Sequence, residues 1–164
     1  MSALVPGASA PDFKLPLIGG REFSLRQALA KGPVVLAFFK ISCPVCQYAF
    51  PYFDRLARAL KDKGVSVVAI SQDDEENTAR FMRTYGVGFP TARDDEHGYA
   101  VSAAYGLTNV PTVFEVTSDG QIAASIVGWS KAEIEEIYAR YFDHDAATLP
   151  LFKSGEQVAD FRPG

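Results

Sequence analysis

Cys43 and Cys46 are the only two cysteines in the chain, and Pro44 and Val45 separate them. Two thiols three residues apart lie on the same side of a helix, one turn from each other, and can close a small disulfide ring. A thiol at a helix start meets amides with no intrahelical partner and the positive end of the helix dipole, and both favour thiolate over thiol. Cysteines placed this way titrate in the range of about 3.5 to 7.5 instead of near 8.5. Pro44 suits the first helical position, where its missing N–H would have had no partner. Lys40 is expected to bring a positive charge near Cys43. The chemistry that follows is thiol–disulfide exchange. Cys43 attacks a substrate disulfide and forms a mixed disulfide, and Cys46 then attacks Cys43 and releases the substrate thiol.

Two other readings compete. A structural zinc site needs four ligands at tight spacing, and the chain has no second cysteine pair. Its two histidines, His97 and His144, lie far apart in sequence. The other reading is chance, two buried thiols that happen to fall three apart; a position between a strand and a helix argues against it.

The elements around the pair are legible in the pattern. Val34 to Phe39 (VVLAFF) is an unbroken apolar run, the signature of a central strand covered on both faces. From Pro44 to about Lys63 the apolar residues Val45, Tyr48, Ala49, Tyr52, Phe53, Leu56 and Leu60 recur at helical steps, with Pro51 inside. Gly64 ends this helix, and VSVVAI reads as a second buried strand. Asp74 to Tyr85 predicts a helix, and a shorter one is expected over 97–105. Ser24 is placed to cap a short helix running through Ala30. Pro111 opens a strand, Asp119-Gly120 marks a hairpin turn, and Gln121 to Val127 returns. Ser130 and Glu133 form a capping-box pattern ahead of a last helix with Ile134, Ile137, Tyr138 and Tyr141 inward. The order is that of an α/β fold, parallel crossovers first and an antiparallel edge later.

Composition bounds the function. At 164 residues the chain suits one domain, and with 48% hydrophobic and 22% charged residues it is ordinary globular material. Sixteen basic and twenty acidic side chains give a net charge of −4. The scattered cations argue against nucleic acid as a partner. The N-terminus has neither a basic start nor a signal-length apolar stretch, and no apolar run approaches the roughly 20 residues of a membrane span. A soluble, cytoplasmic protein is expected, or a periplasmic one if a leader has been removed.

The segment VVLAFFKISCPVCQYAFPYF resembles the active-site segment of the thioredoxin superfamily, including the proline five residues after the second cysteine, here Pro51. Val110-Pro111-Thr112 is similar to that family's cis-proline loop, and Gly128 ahead of a capped final helix also fits. The N-terminal APDFKLP…GGREFSL resembles the hairpin shared by TlpA-like thiol-disulfide oxidoreductases and the peroxiredoxins of the AhpC/TSA group. The resemblance spans about residues 8–142. It implies a thioredoxin-like fold, a central mixed β-sheet flanked by helices, with an N-terminal β-hairpin extension over about 8–32, a core over 33–142 and a tail over 143–164. Leu151, Phe152 and Phe161 are candidates to dock that tail. The resemblance also implies a cis bond before Pro111, where composition alone favours trans and a plain edge-strand start is the simpler role. A cis bond there would turn the Val110 backbone outward to pair with an extended substrate.

The sequence departs from the pattern at three places. Ala37 stands where thioredoxins carry a buried Asp, Ala49 where TlpA-like proteins often have Glu, and Ser42 where Trp usually precedes the first cysteine. Lys40 or a water is left to take the Cys46 proton. The catalytic set is therefore Cys43 and Cys46, shaped by Pro44, Val110, Pro111 and Lys40, with no cofactor or metal.

A protein or small-molecule disulfide or thiol is the expected partner. The alternative is a thiol peroxidase, in which a hydroperoxide oxidises Cys43 and Cys46 condenses with the sulfenic acid. The peroxiredoxin motif places Pro seven and Thr or Ser three residues before the reactive cysteine. Those positions are Leu36 and Lys40 counted from Cys43, or Phe39 and Cys43 counted from Cys46. A non-catalytic binding module is the third class, and retention of both cysteines argues against it. Of the remaining residues, Asp73 to Glu76 are read as complementing a helix dipole more than holding metal. Trp129 is read as a packing anchor more than a substrate platform, Arg93 and His97 as solvated surface, and Tyr48, Tyr52 and Phe53 as core.

Overall fold

The computed structural model describes residues 2–142 and 150–164. His144 and the first part of the expected tail lie outside the described residues. Val34–Phe39 forms β3, and every one of its residues is buried. Successive side chains still alternate across the sheet. Val35, Ala37 and Phe39 enter one apolar layer, whereas Val34, Leu36 and Phe38 enter the layer on the opposite face. The unbroken apolar run is thus explained by a strand that must satisfy two cores at once.

Ser66–Ser71 (β4) pairs parallel with β3, and Thr91–Arg93 (β5) pairs parallel with β4. Thr112–Val116 (β6) runs antiparallel on the other side of β3, and Ile122–Val127 (β7) is antiparallel to β6. The five-stranded sheet has the order β5-β4-β3-β6-β7. Pro44–Lys61 (α2) and Lys131–Tyr141 (α5) cover the layer that includes Cys46, Phe50, Phe53 and Trp129. Glu75–Tyr85 (α3) places Phe81 on the same side, against Phe39 and Phe50.

The N-terminal hairpin is Lys14–Pro16 (β1) with Glu22–Ser24 (β2), and its Leu15 and Phe23 are buried opposite each other. It leads into Leu25–Leu29 (α1), capped by Ser24 as expected. The hairpin also guards a sheet edge. Leu17 bridges Ala92, and the Ile18 N–H donates to Thr91 O at 2.9 Å. On the far edge, Ala8 and Gly7 exchange hydrogen bonds with Ile122 at the start of β7. Each edge is thereby covered over part of its length, which limits stray pairing.

The helix expected over 97–105 is shorter, Ala100–Ala104 (α4). Gly98 and Tyr99 have φ of 64° and 59°, a left-handed backbone in which no helix can begin. The buried Asp94 carboxylate instead receives the first amides, from Val101 at 3.3 Å and Ser102 at 2.7 Å. Of the three residues expected to dock the tail, Leu151 and Phe152 are buried, whereas Phe161 is 61% exposed. Phe161–Arg162 (β9) is held by its backbone, paired antiparallel with Trp129–Ser130 (β8).

Candidate functional site

β3 delivers the chain to the start of α2 over four residues, and that passage is clamped. The Ile41 N–H donates to the Asp73 carboxylate at 2.8 Å, and the Gln47 side-chain amide donates to Ile41 O at 2.9 Å. Asp73 stands just past β4, the parallel neighbour of β3, so the two strand ends meet. Asp74 caps α3 by accepting from the Asn77 N–H at 2.8 Å. The acidic run therefore divides its labour, one residue bracing the cysteine loop and the next serving a helix end.

Cys43 is the N-cap of α2, with an extended backbone and Pro44 in the first turn. Its carbonyl accepts the Gln47 N–H at 3.0 Å, and its sulfur accepts the Cys46 N–H at 3.1 Å. As a thiol it donates to Val110 O at 3.3 Å. One donor and one acceptor thus face a partly buried sulfur, and the donor is one of the amides a helix start leaves unpaired. Lys40 enters through its backbone, whose carbonyl accepts the Cys43 N–H at 3.3 Å, while its side chain is exposed.

Cys46 is fully buried, and both cysteines are free thiols. Burial pushes the Cys46 thiol far above the ordinary range, and its hydrogen bond with Cys43 adds to this; only the Lys40 backbone pulls the other way. The Asp73 carboxylate contributes weakly in the same direction as burial. The pair is therefore unequal. One sulfur meets solvent and a helix start, and the other is held protonated behind it.

Pro111 follows a cis peptide bond from Val110 and is buried at the head of β6. Phe38 pairs with Thr112 in the sheet, which brings the loop before β6 alongside the start of α2. Cys43, Cys46, Pro44, Val110 and Pro111 are thus gathered at one end of the sheet. Arg93 is occupied by Asp95 at 2.9 Å and Glu96 at 2.6 Å. Trp129 is fully buried against Tyr48, Tyr52, Phe53 and Phe152, an anchor as expected.

Several polar residues escaped the sequence reading. Asp73 and Gln47 clamp Ile41, and a carboxylate directly after the strand parallel to β3 was the available signal. Asn109 next to Val110 and the segment 158–164 also border the site, and nothing in their spacing pointed there. Among the described residues no group of three or more His, Cys, Asp or Glu is placed to hold a metal ion. Nor, among them, is any helix long and apolar enough to cross a membrane.

A family model described as the AhpC/TSA family matches residues 6–125. A thiol-disulfide oxidoreductase ResA of Bacillus thuringiensis (strain Al Hakam) is 31% identical over 135 residues, 82% of this chain and 76% of that protein. Among solved structures, a candidate thiol:disulfide interchange protein DsbE from Chlorobium tepidum superposes with a TM-score of 0.73 at 28% identity, over 82% of this chain and 94% of the other. The Peroxidoxin BcpB from Mycobacterium tuberculosis superposes with a TM-score of 0.70 at 24% identity, over 84% and 96%. That last likeness is one of fold.

Proposed function

The chain belongs to the AhpC/TSA family within the thioredoxin superfamily, and from that premise we propose how its cysteine pair performs thiol-disulfide exchange. It is a thiol-disulfide oxidoreductase, in keeping with its likeness to ResA. Cys43 is the attacking sulfur. Its thiolate attacks one sulfur of a substrate disulfide; a Cys43–substrate bond forms, the substrate S–S bond breaks and one substrate thiolate leaves. Cys46 gives its proton to water and attacks Cys43 Sγ; a Cys43–Cys46 bond forms, the Cys43–substrate bond breaks, and the second substrate thiolate is released. The substrate gains two electrons and the pair loses two. Run backwards, the same steps oxidise a dithiol.

One observation carries the assignment of roles: the Cys46 N–H points at Cys43 Sγ at 3.1 Å while Cys46 itself is sealed from water. The half-buried member can reach a substrate, and the fully buried member can reach only its neighbour. Asp73 and Gln47 hold the loop so that Cys43 stays at the helix start. Val110 and Pro111 form the opposite wall, and Pro44 supplies the first helical turn without an unpaired amide.

The reading needs no cofactor beyond the pair, and its substrates are protein or small-molecule disulfides and thiols. Cell fractionation decides whether the protein works in the cytoplasm or in the periplasm. The fold likeness to a peroxidoxin supports a second reading, thiol peroxidase. Against it, Leu36 and Lys40 stand where peroxiredoxins place Pro and Thr or Ser ahead of the reactive cysteine. Mixing the reduced protein with a model disulfide and, separately, with hydrogen peroxide decides between them. Fast exchange with slow peroxide loss is expected. The opposite ranking would transfer the site to peroxide chemistry, and silence towards both would leave a binding module.

A further inference from the structure

Residues 158–164 run from Tyr48 and Trp129 to Asn109 and Val110 at the edge of the site. Their inner end is fastened. The Trp129 indole donates to Ala159 O at 2.6 Å, the Ala159 N–H donates to the Tyr48 hydroxyl at 2.8 Å, and the Lys131 N–H donates to Asp160 O at 3.0 Å. β9 then passes Gly128 so closely that a Cβ there would lie 2.6 Å from Arg162 O and 2.9 Å from Gly164 N. The Arg162 guanidinium sits over the Tyr48 ring, 4.1 Å from its centroid.

The outer end reaches the wall of the site itself. The Asn109 side-chain amide donates to Gly164 O at 3.1 Å. Gly164 abuts Val110 so tightly that a Cβ would stand 2.8 Å from Val110 O. That oxygen is the one the Cys43 thiol faces at 3.3 Å. A substrate disulfide carries chain on its flanks, and the Val110 flank of Cys43 is already occupied.

We propose that residues 161–164 are an intramolecular occupant of the substrate groove, a strap that an extended peptide must displace before Cys43 can attack. The contacts the strap makes describe what displaces it: an extended backbone whose carbonyl suits Asn109, with a cationic side chain two residues earlier for the Tyr48 ring. The proposal rests on Cys43 being the attacking sulfur. The strap's outer residues have few fastenings beyond β8, so they open locally while Ala159 and Asp160 stay docked.

The test is the rate at which iodoacetamide alkylates Cys43 in the reduced protein. Gly164→Val puts a side chain against a carbonyl that belongs to the rigid wall and cannot yield. Asn109→Ala removes the outer hydrogen bond from an exposed position and leaves the strap sequence intact. Each is expected to speed alkylation by about fivefold, the worth of one hydrogen bond in the opening equilibrium. A synthetic Val-Ala-Asp-Phe-Arg-Pro-Gly peptide added to the Gly164→Val protein is expected to slow it again, and the same peptide with Glu for Arg is not. An unchanged or slower rate in Gly164→Val overturns the strap. Alkylation requires no disulfide exchange, so a protein inert to disulfides but faster to alkylate when unstrapped would sink the redox assignment and leave the strap standing.

Discussion

The Cys43 sulfur and the Val110 carbonyl oxygen lie 3.3 Å apart across 67 residues of sequence. Their meeting follows from the sheet. Phe38 at the end of β3 pairs with Thr112 at the start of β6, so the residues just beyond each must face one another. An antiparallel neighbour of β3 is the only kind that could present its N-terminal loop to the C-terminal end of that strand. The reactive sulfur is thereby held between a helix amide and a strand-loop carbonyl, and the second sulfur is walled in behind.

The two cysteines are expected to fail differently when replaced. Cys43→Ser should abolish exchange with a model disulfide. Cys46→Ser should retain the first attack and accumulate a mixed disulfide, visible as a mass increase that reductant removes. Loss of all thiol reactivity in Cys46→Ser would reverse the roles.

Labelling should expose the inequality of the pair. Burial holds the Cys46 proton far beyond the ordinary thiol range, so native protein at pH 8 should take up one equivalent of alkylating reagent, at Cys43. The unfolded chain ionises Cys46 near its ordinary value of about 8.5, while the folded one keeps the proton. Stability should therefore decline as pH rises above that value. Denaturant melts from pH 7 to 10, compared with Cys46→Ala, measure the slope. A second equivalent taken up by the native protein would contradict the picture.

Glu115 is 1% exposed in the middle of β6 and accepts from Arg140 Nε at 2.9 Å and from the Tyr141 hydroxyl at 2.5 Å. The hydrogen bond to Glu115 strengthens the hold of Arg140 on its proton, and burial together with Glu115 raises the Tyr141 hydroxyl. The partners are not equivalent. The Arg140 side chain is 42% exposed and can turn to water, whereas the carboxylate cannot. Arg140→Met should cost about 3 kcal/mol by leaving a buried charge unpaired, and Glu115→Gln about 1 to 2 kcal/mol. Urea unfolding of the two variants settles the order.

Acid should release the 150–164 segment first. Arg55 grips both Glu156 oxygens, at 2.6 and 2.8 Å, and holds that carboxyl below its ordinary value. A depressed carboxylate contributes stability that is whole above its unfolded pKa of about 4.3 and fades as pH falls through the folded one. Glu156→Gln should therefore flatten the acid limb of the stability curve below about pH 5. Limited proteolysis beyond Pro150 at graded pH would report it, and an unaltered acid limb would refute the link.

What could be read from sequence was whatever local chemistry decides. β3 announced itself because two cores demand apolar residues on both faces, and Ser24 and Ser130 announced helix starts because their hydroxyls have a fixed local task. The cysteine pair was visible for the same reason, its spacing being the function. The cis bond at Pro111 was expected from family likeness alone, since composition favours trans. Other features depend on partners distant in sequence. A glutamate within an apolar strand gives no hint that Arg140 will cover it, and Asp73 looked like one more acid at a helix start until β3 and β4 set Ile41 beside it. Phe161 misled because hydrophobicity suggests a buried ring, whereas here the backbone does the docking. The helix expected over 97–105 was foreshortened by two left-handed residues, Gly98 and Tyr99, that periodicity cannot register.

The chain contains a single tryptophan, Trp129, fully buried with its indole N–H bonded to Ala159 O. The protein thus carries one indole, whose emission can be excited apart from that of the tyrosines, bonded to the base of the segment that reaches Val110. Its emission should shift to the red when Ala159 itself comes away, so undocking of the whole segment can be followed in real time without attaching any dye, whereas local opening of 161–164 should leave it unchanged.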